Sequence, residues 1–330
     1  MAENDLKDSF SGHVTVLLDK AVECLLQDNY HNNGIYVDGT FGRGGHTNKI
    51  ISSINTLASP NKHNGTLFAI DKDLEAIQSA NQQNLASRYN YFSMQHNSFC
   101  NLKDIMLDNN LSPNSITGIL LDLGISSPQI DVAERGFSFM RNGVLDMRMD
   151  TSKGEPLSSL ILKLSEEELA DIIFNYGEEK QSRRIASAIK AYDKPILDTH
   201  TLAGIVASVV RQKDAQHPAT RTFQALRIYI NRELDDLKKF LEDLPSILAP
   251  NGKIVIISFH SLEDRIVKQA FNRWAKPEQD ANAKIPRHLL ALQKPPEPTF
   301  ELLGKFKPTD AEIKANPRAR SAIMRVARKL

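Results

Sequence analysis

The stretch Gly34-Ile-Tyr-Val-Asp-Gly-Thr-Phe-Gly-Arg-Gly-Gly-His46 decides how the rest of the chain is read. It begins as a short apolar strand, ends in Asp38, and turns through glycines at 39, 42, 44 and 45. Glycine lacks a Cβ, so these positions can adopt positive φ or let a ligand lie against the main chain. The apolar periodicity that follows predicts a helix opening directly out of the turn, with the free N–H groups of its first turn aimed at that ligand. A tight strand-to-helix connection also needs glycine, so the turn alone does not name a ligand.

Outward from this stretch, strands and helices alternate. Residues 1–12 form a polar lead-in, and Val14, Leu17, Leu18, Ala21, Val22, Leu25 and Leu26 keep helical spacing within His13 to Leu26. The composition of Ser59 to Gly65 predicts a surface loop. Thr66 to Ile70 is a second apolar strand, ends in Asp71 and leads into a helix around Asp73 to Ala86. Tyr91 to Met94 gives a third strand, and Ile116 to Leu121 a fourth that ends in Asp122 before Gly124. Continuously apolar strands separated by helices predict an α/β fold with a mostly parallel sheet covered on both faces. Ligands in such sheets bind outside the carboxyl ends of the strands. One aspartate there is an ordinary turn former or helix cap. Three in succession, Asp38, Asp71 and Asp122, beside a glycine turn point to a nucleoside-type cofactor. Asp71 stands where a carboxylate accepts bonds from both ribose hydroxyls. A dinucleotide fold uses the same device. Here the turn departs from G-x-G-x-x-G, and no Arg or Lys after Asp71 falls in a pyrophosphate-binding pattern, which leans toward S-adenosylmethionine.

After Asp122 the alternation stops. Residues 130–217 read as helices, Glu166 to Tyr176, Glu178 to Tyr192 and Thr199 to Arg211, the second carrying Lys180, Arg183, Arg184 and Lys190 around an Ile185/Ile189 stripe. One long helix is expected from about Thr222 to Leu241, with Phe223, Leu226, Ile230, Leu234, Leu237 and Leu241 on one face. Pro245, Pro250 and Gly252 are expected to stop the chain before the buried strand Lys253-Ile-Val-Ile-Ile257. Ser261 and Asp264 have capping-box-like spacing for the next helix. Residues 275–299 read as an irregular excursion, and Ser321 to Ala327 as a final strand. The expected organisation is one sheet domain in two parts, 1–129 and 218–330, with a helical domain inserted at 130–217.

Forty-one basic and 40 acidic residues nearly cancel, so any nucleic-acid surface must be a local patch. Cys24 and Cys100 sit in no C-x-x-C arrangement, which predicts neither disulfide framework nor metal site. No signal-like segment or membrane-length apolar run is present, and the expectation is a soluble, cytoplasmic protein.

Six blocks carry a resemblance. They are Asp38-Gly-Thr-Phe-Gly-Arg-Gly-Gly-His46, Leu121-Asp-Leu-Gly-Ile-Ser-Ser-Pro-Gln129, Arg135-Gly-Phe-Ser-Phe139, His217-Pro-Ala-Thr-Arg-Thr-Phe-Gln-Ala-Leu-Arg227, Ser258-Phe-His-Ser-Leu-Glu-Asp-Arg265 and Asn316-Pro-Arg-Ala-Arg-Ser321. In order and spacing, from about His13 to the C-terminus, the chain resembles the 16S rRNA cytosine-N4 methyltransferase family, that of ribosomal RNA small subunit methyltransferase H. The resemblance implies a class I S-adenosylmethionine-dependent methyltransferase fold, Rossmann-like, with an inserted all-helical domain. It implies methylation of the N4 amine of a decoding-region cytidine. Cofactor contacts would fall at Gly44, Gly45, His46, Asp71, Phe99, Asp122 and Gln129. The partner would be 16S rRNA within the small ribosomal subunit, with no membrane and no metal, and with homodimerisation open. Thr15 and Lys20 stand where the family pattern has a proline and a glutamate, and Asn97-Ser-Phe-Cys100 is an unusual version of its block.

Cytosine N4 is a poor nucleophile because its lone pair is delocalised into the ring, so the enzyme must orient it and accept its hydrogens. Asp122 and His260 are the candidate catalytic residues. His260 follows the strand at 253–257 on the same sheet edge, where a structural hydrogen bond is the alternative role. Phe137, Phe139 and Phe259 are stacking candidates for an extruded base, with core packing favoured for Phe259. The available cations are Arg135, Arg141, Arg148, Lys180, Arg183, Arg184, Arg221, Arg227, Arg318 and Arg320. Their concentration in and around the insert makes it the expected RNA reader. Other readings share some of these signals. A methyltransferase acting on DNA or another RNA would differ in the substrate that accepts label. A non-catalytic nucleotide- or RNA-binding protein would bind cofactor without turnover. A nicotinamide dehydrogenase fits the glycine spacing poorly.

Overall fold

The computed structural model describes residues 15–58, 63–210, 217–277 and 297–330. The readings at His13, Val14, Arg211 and most of the 275–299 excursion lie outside the described residues, as does the loop at 59–62. The chain divides into two compact units.

The first unit comprises Met1–Asp71, Glu75–Gly124 and Asp236–Leu330. Its described strands are β1 (Ile35–Asp38), β2 (Thr66–Asp71), β3 (Phe92–His96), β4 (Ile116–Asp122), β5 (Leu248–Ser258), β6 (Phe300–Phe306) and β7 (Ile323–Lys329), in the order β3-β2-β1-β4-β5-β7-β6. β1 to β5 run parallel, and β7 lies antiparallel between β5 and β6. This is the mostly parallel class I architecture expected from the sequence.

Period-two alternation sends each strand's side chains to two cores, which is why the strands are apolar throughout. Tyr36, Leu120, Val255 and Ile257 meet α1 (Leu18–Leu26) and α2 (Gly45–Leu57) through Val22, Leu25, Ile50 and Ile54. Val37, Ile119, Leu121, Ile254 and Ile256 form the other core, with α3 (Leu74–Gln82) and α4 (Leu85–Arg88) intervening in the chain before α5 (Leu102–Asp108). Ile254 and Ile256 are fully buried, so truncating either to alanine would cost about 2–5 kcal/mol.

The sequence pattern does not predict β6. Phe300-Glu-Leu-Leu-Gly-Lys-Phe306 does not alternate cleanly: Glu301, Leu302 and Leu303 are all exposed. Its pairing comes from β7, and a charged, irregular sequence suits a strand with one open edge.

The second unit comprises Lys72–Leu74 and Ile125–Asp235, against limits of 130 and 217 read from the sequence. It contains α6 (Ser127–Asp131), α7 (Leu157–Lys163), α8 (Glu166–Gly177), α9 (Ser182–Lys190), α10 (Thr199–Val209) and α11 (Thr220–Ile230). α8 packs on α9 and α11 around Ile173, Ile185, Leu202, Val206, Phe223 and Leu226. A capping box between Ser165 and Glu168 starts α8, and Asp198 caps α10 by accepting the Thr201 N–H.

The long helix expected over Thr222 to Leu241 is two helices. α11 ends at Ile230 and α12 (Glu233–Ile247) begins after a break in which Arg232 takes φ 53°. The apolar stripe continues through the break, so periodicity does not reveal it. What ends α11 is Asn231, whose amide donates to the Arg227 and Met147 carbonyls and accepts the Met149 N–H. Pro245 does not stop the chain either. It sits in the last turns of α12, held there by fully buried Leu244 and nearly buried Ile247. After β5 come α13 (Ser261–Ala275) and, between β6 and β7, α14 (Asp310–Ala315).

Candidate active site

Strand register grades the three aspartates. Asp38 pairs with Ala69 of β2 and Leu120 of β4, so Asp71 and Asp122 stand two residues further along their strands. All three follow residues of the α1/α2 core by two positions, and the pleat therefore turns them to the same face. Asp38, at the inner level, is wholly buried. It accepts hydrogen bonds from the Thr47 hydroxyl (2.6 Å) and the Thr40 N–H (3.1 Å). Burial nevertheless pushes its carboxyl up to about 6.

The glycine turn runs over this buried carboxylate. Gly42 takes φ 56° and donates its N–H to Asp71 Oδ2 at 2.8 Å. Gly44 takes φ 84° as the residue before α2, with no side chain capping the helix. Gly39 and Gly45 serve differently. A Cβ on Gly39 would lie 2.3 Å from Leu121 Cδ2, and one on Gly45 would lie 2.1 Å from Thr15 Oγ1. Two glycines give the turn its path and two give it clearance.

His46, in the first turn of α2, is 4% exposed. Its Nδ1 lies 3.6 Å from Asp122 Oδ2, beyond a hydrogen bond. Burial pushes the ring down to about 4, so it is neutral at physiological pH, and its Nε2 has no hydrogen bond of ordinary geometry. Asp122 keeps 22% of its side-chain surface open. Its N–H donates to Thr40 Oγ1 at 2.6 Å, while its Oδ1 is enclosed without a partner. Burial, then the carboxylates of Asp38 and Glu263, hold its carboxyl well above the usual range. The charges bearing on Asp122 are negative and the adjacent imidazole is neutral. Such a cup suits a positively charged ligand, whose arrival would relieve the repulsion.

Glu263, 2% exposed, accepts the Phe259 N–H at 2.8 Å and the His260 N–H at 3.3 Å. His260 is the N-cap of α13, its Nδ1 facing the Glu263 N–H at 3.5 Å. Its Nε2 lies 3.1 Å from Glu263 Oε1 without the alignment of a hydrogen bond. The cap is therefore His260, one residue before the Ser261 read from the sequence. Phe259 is half-buried and packs against the α1/α2 core.

Phe99 opens a short 3-10 turn after β3 and packs edge-on against Phe240 at 5.6 Å. A Cβ on Gly39 would lie 3.1 Å from Phe99 Cβ, which puts Phe99 beside the glycine turn. The first unit thus gathers Gly44, Gly45, His46, Asp71, Phe99, Asp122 and His260 along the carboxyl ends of its parallel strands. Gln129 belongs to the second unit, where its Oε1 accepts the Ser126 N–H (2.8 Å) and its Nε2 donates to Asp73 Oδ2 (2.7 Å). The sequence pattern gives Thr40 and Thr47 no role and marks Asp73 only as the start of a helix. Asp73 could have been found from its place two residues after Asp71.

Several cations expected to meet RNA are engaged within the second unit. Arg135 pairs with Asp73, Arg148 with Asp146 at 2.7 Å, and Arg227 with Glu233 at 2.9 Å. Phe137 is buried under Arg135, and the Phe139 ring lies tilted against His217 with centroids 4.6 Å apart. Arg183 and Arg184 on α9, and Lys180 just before it, are exposed. Among the described residues there is no group of three or more His, Cys, Asp and Glu placed to hold a metal ion, and no helix long and apolar enough to cross a membrane.

A family model described as the MraW methylase family matches residues 10–330. A relative from Cupriavidus metallidurans named ribosomal RNA small subunit methyltransferase H is 46% identical over 325 residues, covering 96% of this chain and 94% of the relative. One of the same name from Acinetobacter baumannii is 44% identical over 320 residues, covering 96% and 98%. A solved rRNA methylase from Streptococcus thermophilus overlays with a TM-score of 0.38 at 10% identity, covering 96% of this chain and 99% of that one.

Proposed function

The chain belongs to the MraW methylase family, and from that premise we infer that it methylates 16S ribosomal RNA at the N4 amine of a decoding-region cytidine, using S-adenosylmethionine. Relatives that match over nearly the whole chain carry the name ribosomal RNA small subunit methyltransferase H. The observation that ties this reading to the site is the enclosed, unpartnered Oδ1 of Asp122 beside a neutral His46. S-adenosylmethionine, when bound, supplies an electrophilic methyl group on a positively charged sulfur.

In this reading the chain's own residues do four things. The turn at Gly44 and Gly45, with His46 and the first N–H groups of α2, bounds the cofactor. Asp71 accepts its ribose hydroxyls and Phe99 flanks its adenine. Asp122, through the open part of its carboxylate, accepts a hydrogen of the target amine, which localises the nitrogen lone pair for in-line attack. Once it carries the transferred methyl group the nitrogen must lose a proton, and the carboxylate of Asp122 would receive it. His46 stays neutral and leaves the negative charge of Asp122 for the developing cation. His260 holds the start of α13 near the arriving base.

The inserted helices read the RNA, with Lys180, Arg183 and Arg184 contacting phosphates. The acceptor in the cell is 16S rRNA assembled in the small subunit, which places the protein in the cytoplasm. The test uses purified protein, labelled S-adenosylmethionine and small subunits from cells lacking the modification. The expected result is label in one N4-methylcytidine of the decoding region. Label in DNA or another RNA in preference to the subunit, or cofactor binding with no transfer, would overturn the assignment.

A further inference from the structure

β1 ends at Asp38, whose partner on β4 is Leu120. One more bond follows, from the Gly39 N–H to the Leu120 carbonyl at 2.9 Å, and the chain then swings away into the glycine turn. β4 runs on to Asp122. In a parallel pair alternate N–H groups of a strand face the same neighbour, so the Asp122 N–H points to the side that β1 has left. A carbonyl of a longer β1 would take it. Thr40 Oγ1 takes it instead, at 2.6 Å. On the other side the Leu123 N–H donates to the Ile257 carbonyl of β5 at 2.9 Å. The end of β4 is therefore held from both flanks, by a strand on one and by a single hydroxyl on the other.

Thr40 is itself anchored. Its N–H donates to Asp38 Oδ1 at 3.1 Å, and the other oxygen of that buried carboxylate accepts the Thr47 hydroxyl, from the first turn of α2, at 2.6 Å. The next two N–H groups of the turn reach β2: Phe41 donates to the Ile70 carbonyl at 3.0 Å and Gly42 to Asp71 Oδ2 at 2.8 Å. Threonine is also stiff at χ1, so its oxygen keeps its direction once the backbone is fixed. All these residues belong to the first unit. The Thr40 hydroxyl carries the order of the turn to the strand end from which the Asp122 carboxylate projects.

We propose that Thr40 is a positioning residue for Asp122, its hydroxyl continuing the strand pairing that β1 gives up and fixing the backbone that aims the carboxylate. This rests on the assignment of Asp122 as the acceptor of the target amine's hydrogen. Asp122 can serve only if its carboxylate is aimed within a narrow range, and a small misplacement at such a centre is costly in rate.

The test compares full-length wild type, Thr40→Val, Thr40→Ser, Asp122→Asn and the double variant Thr40→Val/Asp122→Asn. It reads methyl transfer to small subunits lacking the modification, calorimetric binding of S-adenosylmethionine and melting temperature. Valine keeps the branched shape and removes the acceptor, whereas serine keeps the acceptor. Thr40→Val lowers kcat about tenfold, counted per cofactor-binding site, while KM for the subunit stays within about twofold. Cofactor affinity falls less than kcat does. Thr40→Ser recovers most of the loss. On top of Asp122→Asn, Thr40→Val costs less than about twofold more, because the carboxylate it positions is gone. An unchanged kcat in folded Thr40→Val overturns the proposal, whatever its melting temperature. So does a full tenfold loss repeated in the Asp122→Asn background, which marks an effect independent of that carboxylate. If Thr40→Val does not fold, Thr40→Ala goes through the same cycle and decides by the same outcomes. Wild-type turnover in Asp122→Asn would remove the assignment of Asp122, and this proposal with it. Lost turnover in Asp122→Asn with none lost in Thr40→Val removes this proposal alone.

Discussion

His46 and Asp122 lie 3.6 Å apart and do not neutralise each other, since burial strips the histidine of its proton before the carboxylate could use it. In the proposed site a cationic cofactor would favour the ionised form of Asp122, and its binding would displace any proton the carboxyl holds. Affinity should therefore fall as pH drops into the raised titration range of Asp122 and level off above it. A calorimetric series for S-adenosylmethionine that runs from acid to neutral pH, with Asp122→Asn alongside, reads this. Asp122→Asn should bind more weakly at the upper end and show a flatter profile, and superimposable profiles would sink the account. The sequence made three strand-ending aspartates visible because each closes an apolar run. It could not show that Asp38 is the inner one, since that follows from a two-residue offset between strands that are neighbours only in the sheet. The glycines at 39, 42, 44 and 45 likewise read alike, and only the neighbours of 39 and 45 reveal that those two provide clearance.

Among the elements, the break between α11 and α12 is where local pattern and long-range bonding disagree. Helical periodicity favours one continuous rod, but Asn231 gives its amide to Met147, Met149 and Arg227, and these bonds outweigh a turn of helix. Asn231→Ala should destabilise the second unit by about 2 kcal/mol, the cost of leaving half-buried backbone groups unpaired. Urea unfolding followed by a probe in α8–α11 would show it as a lower midpoint. An unshifted midpoint would mean the break is set by Arg232 and the chain around it. The start of α13 was misplaced by a single residue for a related reason. Histidine is an unusual N-cap, and here Glu263 reaches back to two N–H groups and fastens His260 there.

For the molecule as a whole, a near-neutral charge balance means that RNA affinity depends on local cations. Arg135, Arg148 and Arg227 are spent on internal carboxylates, and among the other candidate cations Lys180, Arg183 and Arg184 form an exposed cluster at the start of α9. Replacing those three by alanine should weaken RNA binding and lower the slope of log affinity against log salt by about 2, if each meets one phosphate. A filter-binding salt series measures both, and an unchanged slope would move the RNA surface elsewhere. By itself the sequence determined the parallel sheet, the strand-ending aspartates, the glycine turn and the family resemblance, because periodicity, glycine content and motif order are local properties of the chain. The tertiary structure decided which carboxylate is buried, which arginines remain available to a ligand, and that Asp73 is paired with a residue 62 positions away. Those outcomes depend on which groups share a desolvated space, and in that space a charge must find a partner or change its protonation.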